Sequence, residues 1–304
     1  MPVHKGITEI SILMIITAFS TTPSFGETTQ ITMDPANDYD PYWSPDGNSL
    51  VFLSERSGNW DIWKIPAGGG TATALTTHPG NDIHPCWSPD GEWIAFCSER
   101  SGNQDIWKVP SAGGTAVPVT TNPARDESLD WLDNETIVFD SNRSGNWEIW
   151  TIPADGGAAT PVTDNHASDS GPSPSPNGST IAFTSYRGGY PDIWTIPVGG
   201  EPATQLTDDS YFDGYPHYTP DGAKMAFGSD RSGNLDIWVM RSGGGNLEQI
   251  TTDPADDYYA CWSPDGTKIA FSSNRGGNYD LWVVDYDDTT VEPSSVGRVK
   301  ALFK

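Results

Sequence analysis

One segment recurs six times in this chain, at a nearly constant interval. The arginine of an S-x-R-x-G element stands at Arg56, Arg100, Arg143, Arg187, Arg231 and Arg275. The tryptophan of a D-I-W element stands at Trp63, Trp107, Trp150, Trp194, Trp238 and Trp282. Both series advance by 44, 43, 44, 44 and 44 residues. A period of this length marks a repeat architecture, in which no unit buries its apolar face alone and stacked neighbours supply the core. Most recurring residues therefore serve the repeat, and function is to be sought where the copies differ.

The first copy shows what one unit is. Residues 38–43, D-Y-D-P-Y-W, read as a short strand, and S-P-D-G at 44–47 as a turn, with proline presetting φ and glycine accepting a positive one. Residues 49–55 are apolar, as in a strand buried on both faces. After a second turn at 56–59, residues 60–66 alternate as a strand does. A glycine turn at 67–70 leads to a fourth strand at 71–77. No stretch has helical periodicity over the length a helix needs. Four-stranded units of this size are propeller blades. The expected fold is all-β, a six-bladed β-propeller with four-stranded antiparallel blades.

The ring must also close. The last copy has its first three strands, ending near Asp285, but no outer strand follows. Q-I-T-M-D-P-A-N-D at 30–38 matches Q-I-T-T-D-P-A-D-D at 249–257 in seven of nine places. Thr28 to Met33 is therefore expected to complete the last blade. Copies three and four should be the least regular, because W-L-D-N-E at 131–135 shortens a turn and Pro174 replaces an aromatic residue.

The motif P-x-W-S-P-D-G-x-x-I-A-F-x-S-x-R-x-G-N-x-D-I-W, clear at 85–107, 216–238 and 262–282, resembles the WD40-like repeat of the TolB propeller family. Similar blades occur in prolyl-oligopeptidase-type peptidases and oligogalacturonate lyases. The resemblance covers almost the whole chain after residue 26. It implies a secreted six-bladed propeller that binds something at its channel mouth. The α/β domain that precedes the propeller in the TolB family is not expected within this sequence.

The charge is −25, from 41 acidic and 16 basic residues. Such a chain is a poor nucleic-acid partner, since phosphate binding needs a basic surface; it suits cations or basic partners. Residues 1–26 read as a signal peptide, with His4 and Lys5 before an apolar run too short to span a bilayer, and Ser24-Phe25-Gly26 as the cleavage site. The expected divisions are the signal at 1–26, the propeller at 27–290 and a basic tail at 291–304 carrying Arg298, Lys300 and Lys304. A periplasmic or extracellular monomer without a membrane span follows. Cys86, Cys97 and Cys261 are too few for a disulfide framework. Buried free thiols are expected, with a Cys86–Cys97 bridge as the alternative.

Candidate functional residues fall into three sets. The first is an aspartate five residues before the inner-strand aromatic: Asp38, Asp82, Asp126, Asp169, Asp213 and Asp257. At ~10 Å spacing and an effective dielectric of ~20, each pair in such a ring would repel by roughly 1.7 kcal/mol. A channel Ca²⁺ or Mg²⁺ would relieve that. The repeat arginines, expected on the same face, would do so as well by pairing one to one. The second set lies where the copies differ. It comprises Asp40, His84, Ser128, Gly171, Tyr215 and Tyr259 three residues before the inner-strand aromatic, and Tyr42, Cys86, Asp130, Ser173, His217 and Cys261 one before it. The third is the aromatics after the second turn, Trp60, Trp147, Tyr190 and Tyr279. Rim aromatics suit protein hot spots or sugar stacking. The D-I-W acid (Asp61, Asp105, Glu148, Asp192, Asp236, Asp280) is expected to brace its turn.

No catalytic residue is nominated: there is no G-x-S-x-G elbow, and the arginines come one per blade. The function expected is non-enzymatic binding of a protein or peptide at an acidic channel mouth, with a divalent cation there. The alternatives are carbohydrate binding through the rim aromatics and a metal-dependent hydrolase or lyase using channel carboxylates.

Overall fold

The computed structural model describes residues 26–287. Residues 1–25 of the expected signal and the whole basic tail lie outside the described residues. Within them are six four-stranded antiparallel sheets and no helix. In blade 1 the inner strand is Asp38–Trp43, the second Ser49–Ser54, the third Asp61–Pro66 and the outer Thr73–Ala74. Outer strands are short, two or three residues, because the chain leaves the ladder at the glycine turn and rejoins it only briefly.

The core lies between blades. The second strand is buried on both faces, and its phenylalanine (Phe52, Phe96, Phe139, Phe183, Phe227 or Phe271) is fully buried in every copy. Val51, Leu53 and Ile62 of blade 1 pack on Trp87, Ile94 and Phe96 of blade 2. Each such phenylalanine contributes about 1.5–3 kcal/mol by burial. All three cysteines are free and buried.

Closure is as the sequence indicates. Thr28–Gln30 pairs with the third strand of blade 6, Thr28 opposite Val284 and Gln30 opposite Trp282. The strand ends three residues sooner than expected, because Ile31 and Thr32 turn inward. Ile31 N–H donates to Leu281 O at 2.7 Å, and Leu281 N–H donates to Thr32 Oγ1 at 2.9 Å. Asp280 of the D-I-W element accepts from Gln30 Nε2 at 2.9 Å and Thr32 Oγ1 at 3.2 Å. In blade 1 the same acid, Asp61, accepts from Ser57 and Thr76. This recurring carboxylate thus ties the second turn to the outer strand, and in blade 6 it ties the two ends of the described ring.

Blade 3 stands apart at the end of its inner hairpin far from the shortened turn. Its inner hairpin slips register across Glu127/Leu129, whereas the other five slip across one residue more. Blade 4 keeps the common register despite Pro174.

Candidate functional site

Each of the six recurring aspartates has no solvent exposure and meets the arginine of its own blade. Nη2 to carboxylate distances are 2.6 Å for Arg56–Asp38 and Arg231–Asp213, and 2.7 Å for Arg100–Asp82, Arg143–Asp126, Arg187–Asp169 and Arg275–Asp257. The same guanidinium lies over the D-I-W tryptophan, 4.8–5.2 Å from the ring centroid. Its Nε donates to the serine ending the second strand, as Arg275 does to Ser273 at 2.9 Å. Burial pushes the Asp38, Asp213 and Asp257 carboxyls above their ordinary pKa, against the pull of serine and arginine. Each aspartate also donates its own N–H to the previous blade, as Asp257 does to Leu235 O at 2.7 Å. The six carboxylates therefore sit one per blade against a cation. They do not converge on the channel, and among the described residues no group of three or more His, Cys, Asp or Glu side chains is arranged to hold a metal.

The positions where the copies differ do converge. A cavity of about 90 Å³ on the ring axis is lined by Asp40, Tyr42, His84, Ser128, Asp130, Gly171, Ser173, Tyr215, His217, Tyr259 and Cys261, with the residues between them. A backbone device presents them. At the register slip of each inner strand, the residue three before the aromatic takes a left-handed conformation: Asp40 φ 55°, His84 53°, Ser128 31°, Gly171 61°, Tyr215 56° and Tyr259 55°. This is a β-bulge, which bends the strand and re-aims a side chain. Five of the six are not glycine, at a cost of about 1–3 kcal/mol each. In three blades the neighbouring second strand steadies the bulge. Asp40 N–H donates to Ser272 Oγ at 3.0 Å, Gly171 N–H to Asp140 Oδ2 at 2.9 Å and Tyr215 N–H to Thr184 Oγ1 at 3.0 Å.

The polar groups in the channel are paired among themselves. The Tyr42 hydroxyl donates to Asp130 Oδ1 at 2.8 Å, joining blades 1 and 3. His84 Nδ1 lies 2.8 Å from Asp40 Oδ2. Burial pushes the Asp130 carboxyl up to about 7, although Tyr42 and the Trp131 N–H oppose it. Burial likewise carries Asp140 to about 7. For His84, burial lowers the pKa, but Asp40, Asp140 and Glu127 outweigh it and the net shift is upward. Burial lowers His217 to about 4, and its ring accepts from Trp262 N–H at 3.3 Å and lies 3.6 Å from Cys261 Sγ.

On one side the mouth is aromatic. Ring centroids run Trp60–Tyr39 5.7 Å, Tyr39–Tyr279 4.5 Å, Tyr279–Tyr258 6.0 Å, Tyr258–Tyr259 6.1 Å, Tyr259–Tyr215 4.9 Å and Tyr215–Phe212 6.2 Å. A groove of about 320 Å³ lies along this arc, walled by Tyr39, Tyr258, Tyr259, Tyr279, Leu53, Ile83 and His84. The structure thus gathers Trp60, Tyr215, Tyr259 and Tyr279 of the expected residues. It does not bring in Trp147, which lies under Arg125, or Tyr190, an exposed residue of blade 4. Sequence reasoning missed Tyr39, Tyr258, Phe212 and Asp140. The signal for the first two was present: each directly precedes a channel residue of the variable set.

Two family models match parts of the chain: the TolB beta propeller domain over residues 26–139 and the Tricorn protease N-terminal beta propeller domain over 190–301. No curated protein matches by sequence. Among solved structures, a putative TolB from Agrobacterium tumefaciens is 25% identical, with a TM-score of 0.68 over 86% of this chain and 98% of that one. TolB from Acinetobacter baumannii is 20% identical, with a TM-score of 0.61 over 83% of this chain and 63% of that one. A gluconolactonase from Xanthomonas campestris is 13% identical, with a TM-score of 0.66 over 86% and 89%. At that identity the likeness is one of fold.

Proposed function

We propose that this chain, a TolB-like six-bladed propeller, is a binding scaffold that takes a protein or peptide segment at its channel mouth. One observation carries the reading: a six-fold frame presents a lining that is not six-fold. The frame residues are tied up in pairs and stacks, while the bulges aim five side chains of four kinds into one funnel and the aromatics gather on one side of it. The axial cavity is small against the ~300–1,000 Å³ of small-molecule sites. The groove beside it can seat side chains of an extended segment. Partly buried tyrosine and tryptophan are the residues that dominate such interfaces.

A sugar platform is less well served, because neighbouring rings of the arc are inclined to one another by 32–62° and make no flat surface for a sugar ring. One observation favours a hydrolase, the His84–Asp40 pair at the channel. Its neighbours favour the protonated ring, however, the wrong form for a general base. The apolar N-terminal run supports a periplasmic or extracellular site of action. Among the described residues no helix is long and apolar enough to cross a membrane.

The test is selection of random displayed twelve-residue peptides on the immobilised full chain. The expected result is an enriched consensus whose binding is lost in Tyr258→Ser/Tyr279→Ser and kept in Tyr190→Ser. No consensus, or one indifferent to the mouth substitutions, would sink the reading.

A further inference from the structure

The rim carries a second six-fold pairing, between the residue before the buried aspartate and the residue after the second-strand serine. In blade 1, Asn37 Nδ2 donates to Glu55 Oε2 at 3.1 Å; in blade 2, Asn81 Nδ2 donates to Glu99 Oε2 at 3.0 Å. In blade 5, Phe212 N–H donates to Asp230 Oδ1 at 2.9 Å. In blade 6, Asp256 donates its N–H to Asn274 Oδ1 at 3.2 Å and accepts from Leu235 N–H at 3.2 Å. Blades 5, 6, 1 and 2 thus each place one carboxylate on the rim, held by uncharged N–H groups. The arginines beside them turn inward: Arg56, Arg100, Arg231 and Arg275 put their guanidinium groups on the buried aspartates. Blade 3 has Arg125 at this rim position, paired with Glu127, and blade 4 has Tyr186.

The aromatic arc occupies the same side. Tyr39 belongs to blade 1; Tyr258, Tyr259 and Tyr279 to blade 6; and Phe212 and Tyr215 to blade 5. Carboxylates and rings share partners: Asn37, which holds Glu55, accepts from the Tyr279 N–H at 3.2 Å, and Asn274, which accepts from the Asp256 N–H, donates to the Tyr279 hydroxyl at 3.4 Å. Burial carries the Tyr39 phenol up to about 12, with Tyr279, Tyr258 and Glu55 adding to it. Burial also raises Tyr258, and Asp256 adds to that. An aromatic face attracts a cation through its quadrupole. Carboxylates whose hydrogen-bond partners are neutral keep their full charge for a ligand. Both features repel an anion.

We propose that the segment bound at this mouth is basic, with a lysine or arginine side chain or an α-amine lying on the Tyr39, Tyr258 and Tyr279 rings between Glu55 and Asp256. This rests on the binding reading above and names the chemistry of its partner. Complementarity of this kind sets specificity and encounter rate.

The experiment is fluorescence anisotropy of fluorescein-labelled Gly-Arg-Arg-Arg-Gly against the full chain at 150 mM NaCl, with the triple-Glu and triple-Gln peptides beside it. The Arg peptide should bind at least 10-fold more tightly than either. Glu55→Gln/Asp256→Asn should weaken it 10-fold or more. Tyr39→Leu/Tyr279→Leu should weaken it several-fold with every charge in place. Asp46→Asn/Asp265→Asn, in the S-P-D-G turns away from the mouth, should change it less than 2-fold. Equal loss in the turn variant would reduce the effect to bulk attraction by an acidic protein and overturn the proposal. So would equal binding of the Glu peptide. Near-UV circular dichroism confirms that each variant is folded. If the displayed-peptide selection gives a mouth-directed consensus while the Arg peptide does not bind, the basic ligand is wrong and the binding scaffold stands. If neither binds, both fall.

Discussion

Replacing Arg275 with methionine tests the reasoning on the buried aspartates most directly. Asp257 has no solvent exposure, and both its oxygens accept from Arg275 Nη2, at 2.9 and 2.7 Å. Methionine keeps much of the packing over Phe271 and Trp282 but strands the carboxylate. Breaking a buried pair by removing one partner costs about 3–5 kcal/mol. For a domain of this size that is a fall in Tm of about 6–20 °C. The pH dependence separates charge from packing. Burial already lifts the Asp257 carboxyl, and loss of the guanidinium lifts it further. A carboxyl whose folded pKa is raised is most costly above that pKa and costs nothing once protonated. The deficit, read as the urea midpoint, should therefore be full at pH 8 and shrink towards pH 5. Asp257→Asn/Arg275→Met should recover most of it, leaving about 1–2 kcal/mol for the lost stacking and hydrogen bonds. A deficit constant from pH 8 to pH 5 and not relieved in the double variant would refute the stranded-charge account.

Adding 5 mM Ca²⁺ or Mg²⁺ to the protein in place of EDTA should leave Tm within 1 °C, because every recurring aspartate already has its cation; a shift of several degrees would return those aspartates to metal binding. Asp130 and Asp140 both hold a proton to about pH 7, so their contribution to stability is present near pH 4 and lost as pH rises through about 7. Urea midpoints of Asp130→Asn/Asp140→Asn should be flatter than those of the parent between pH 5 and 8, and an unchanged slope would place the titration elsewhere. Thr32→Val removes the hydroxyl shared by Asp280 and the Leu281 amide and should cost about 1–3 kcal/mol in equilibrium unfolding; no measurable cost would mean that the latch rests on strand pairing alone.

The frame was legible in the sequence because repetition does the work of an alignment: Arg56 and its five counterparts, read together, gave period and blade count, and the match of residues 30–38 to 249–257 located the missing outer strand. The channel lining was legible for the opposite reason, since Asp40, His84, Ser128, Gly171 and Tyr215 stand at one repeat position without resembling one another. The role of the six aspartates was not settled by spacing. Asp257 facing a channel and Asp257 facing Arg275 leave the same mark in the sequence, and only packing chooses between them. The aromatic arc was half hidden. Tyr39 and Tyr258 share one repeat position, Tyr279 stands at another, and the three meet only because blade 6 closes on blade 1. The left-handed bulges were hidden altogether, because five of them carry side chains that ordinarily avoid that conformation.

The latch between Thr28–Gln30 and blade 6 also sets the order of events in folding. The first strand of the ring to leave the ribosome is the last to find its place, since its partner is made after every other blade. Pairings so distant in sequence are slow to form. Until this one forms, blade 6 presents an unpaired edge, which is a template for another chain. The nearest matching strand belongs to a second copy of the same protein. An exchange of Thr28–Gln30 between two half-closed rings would satisfy every hydrogen bond of the latch, so a strand-swapped dimer is the natural by-product of crowded refolding.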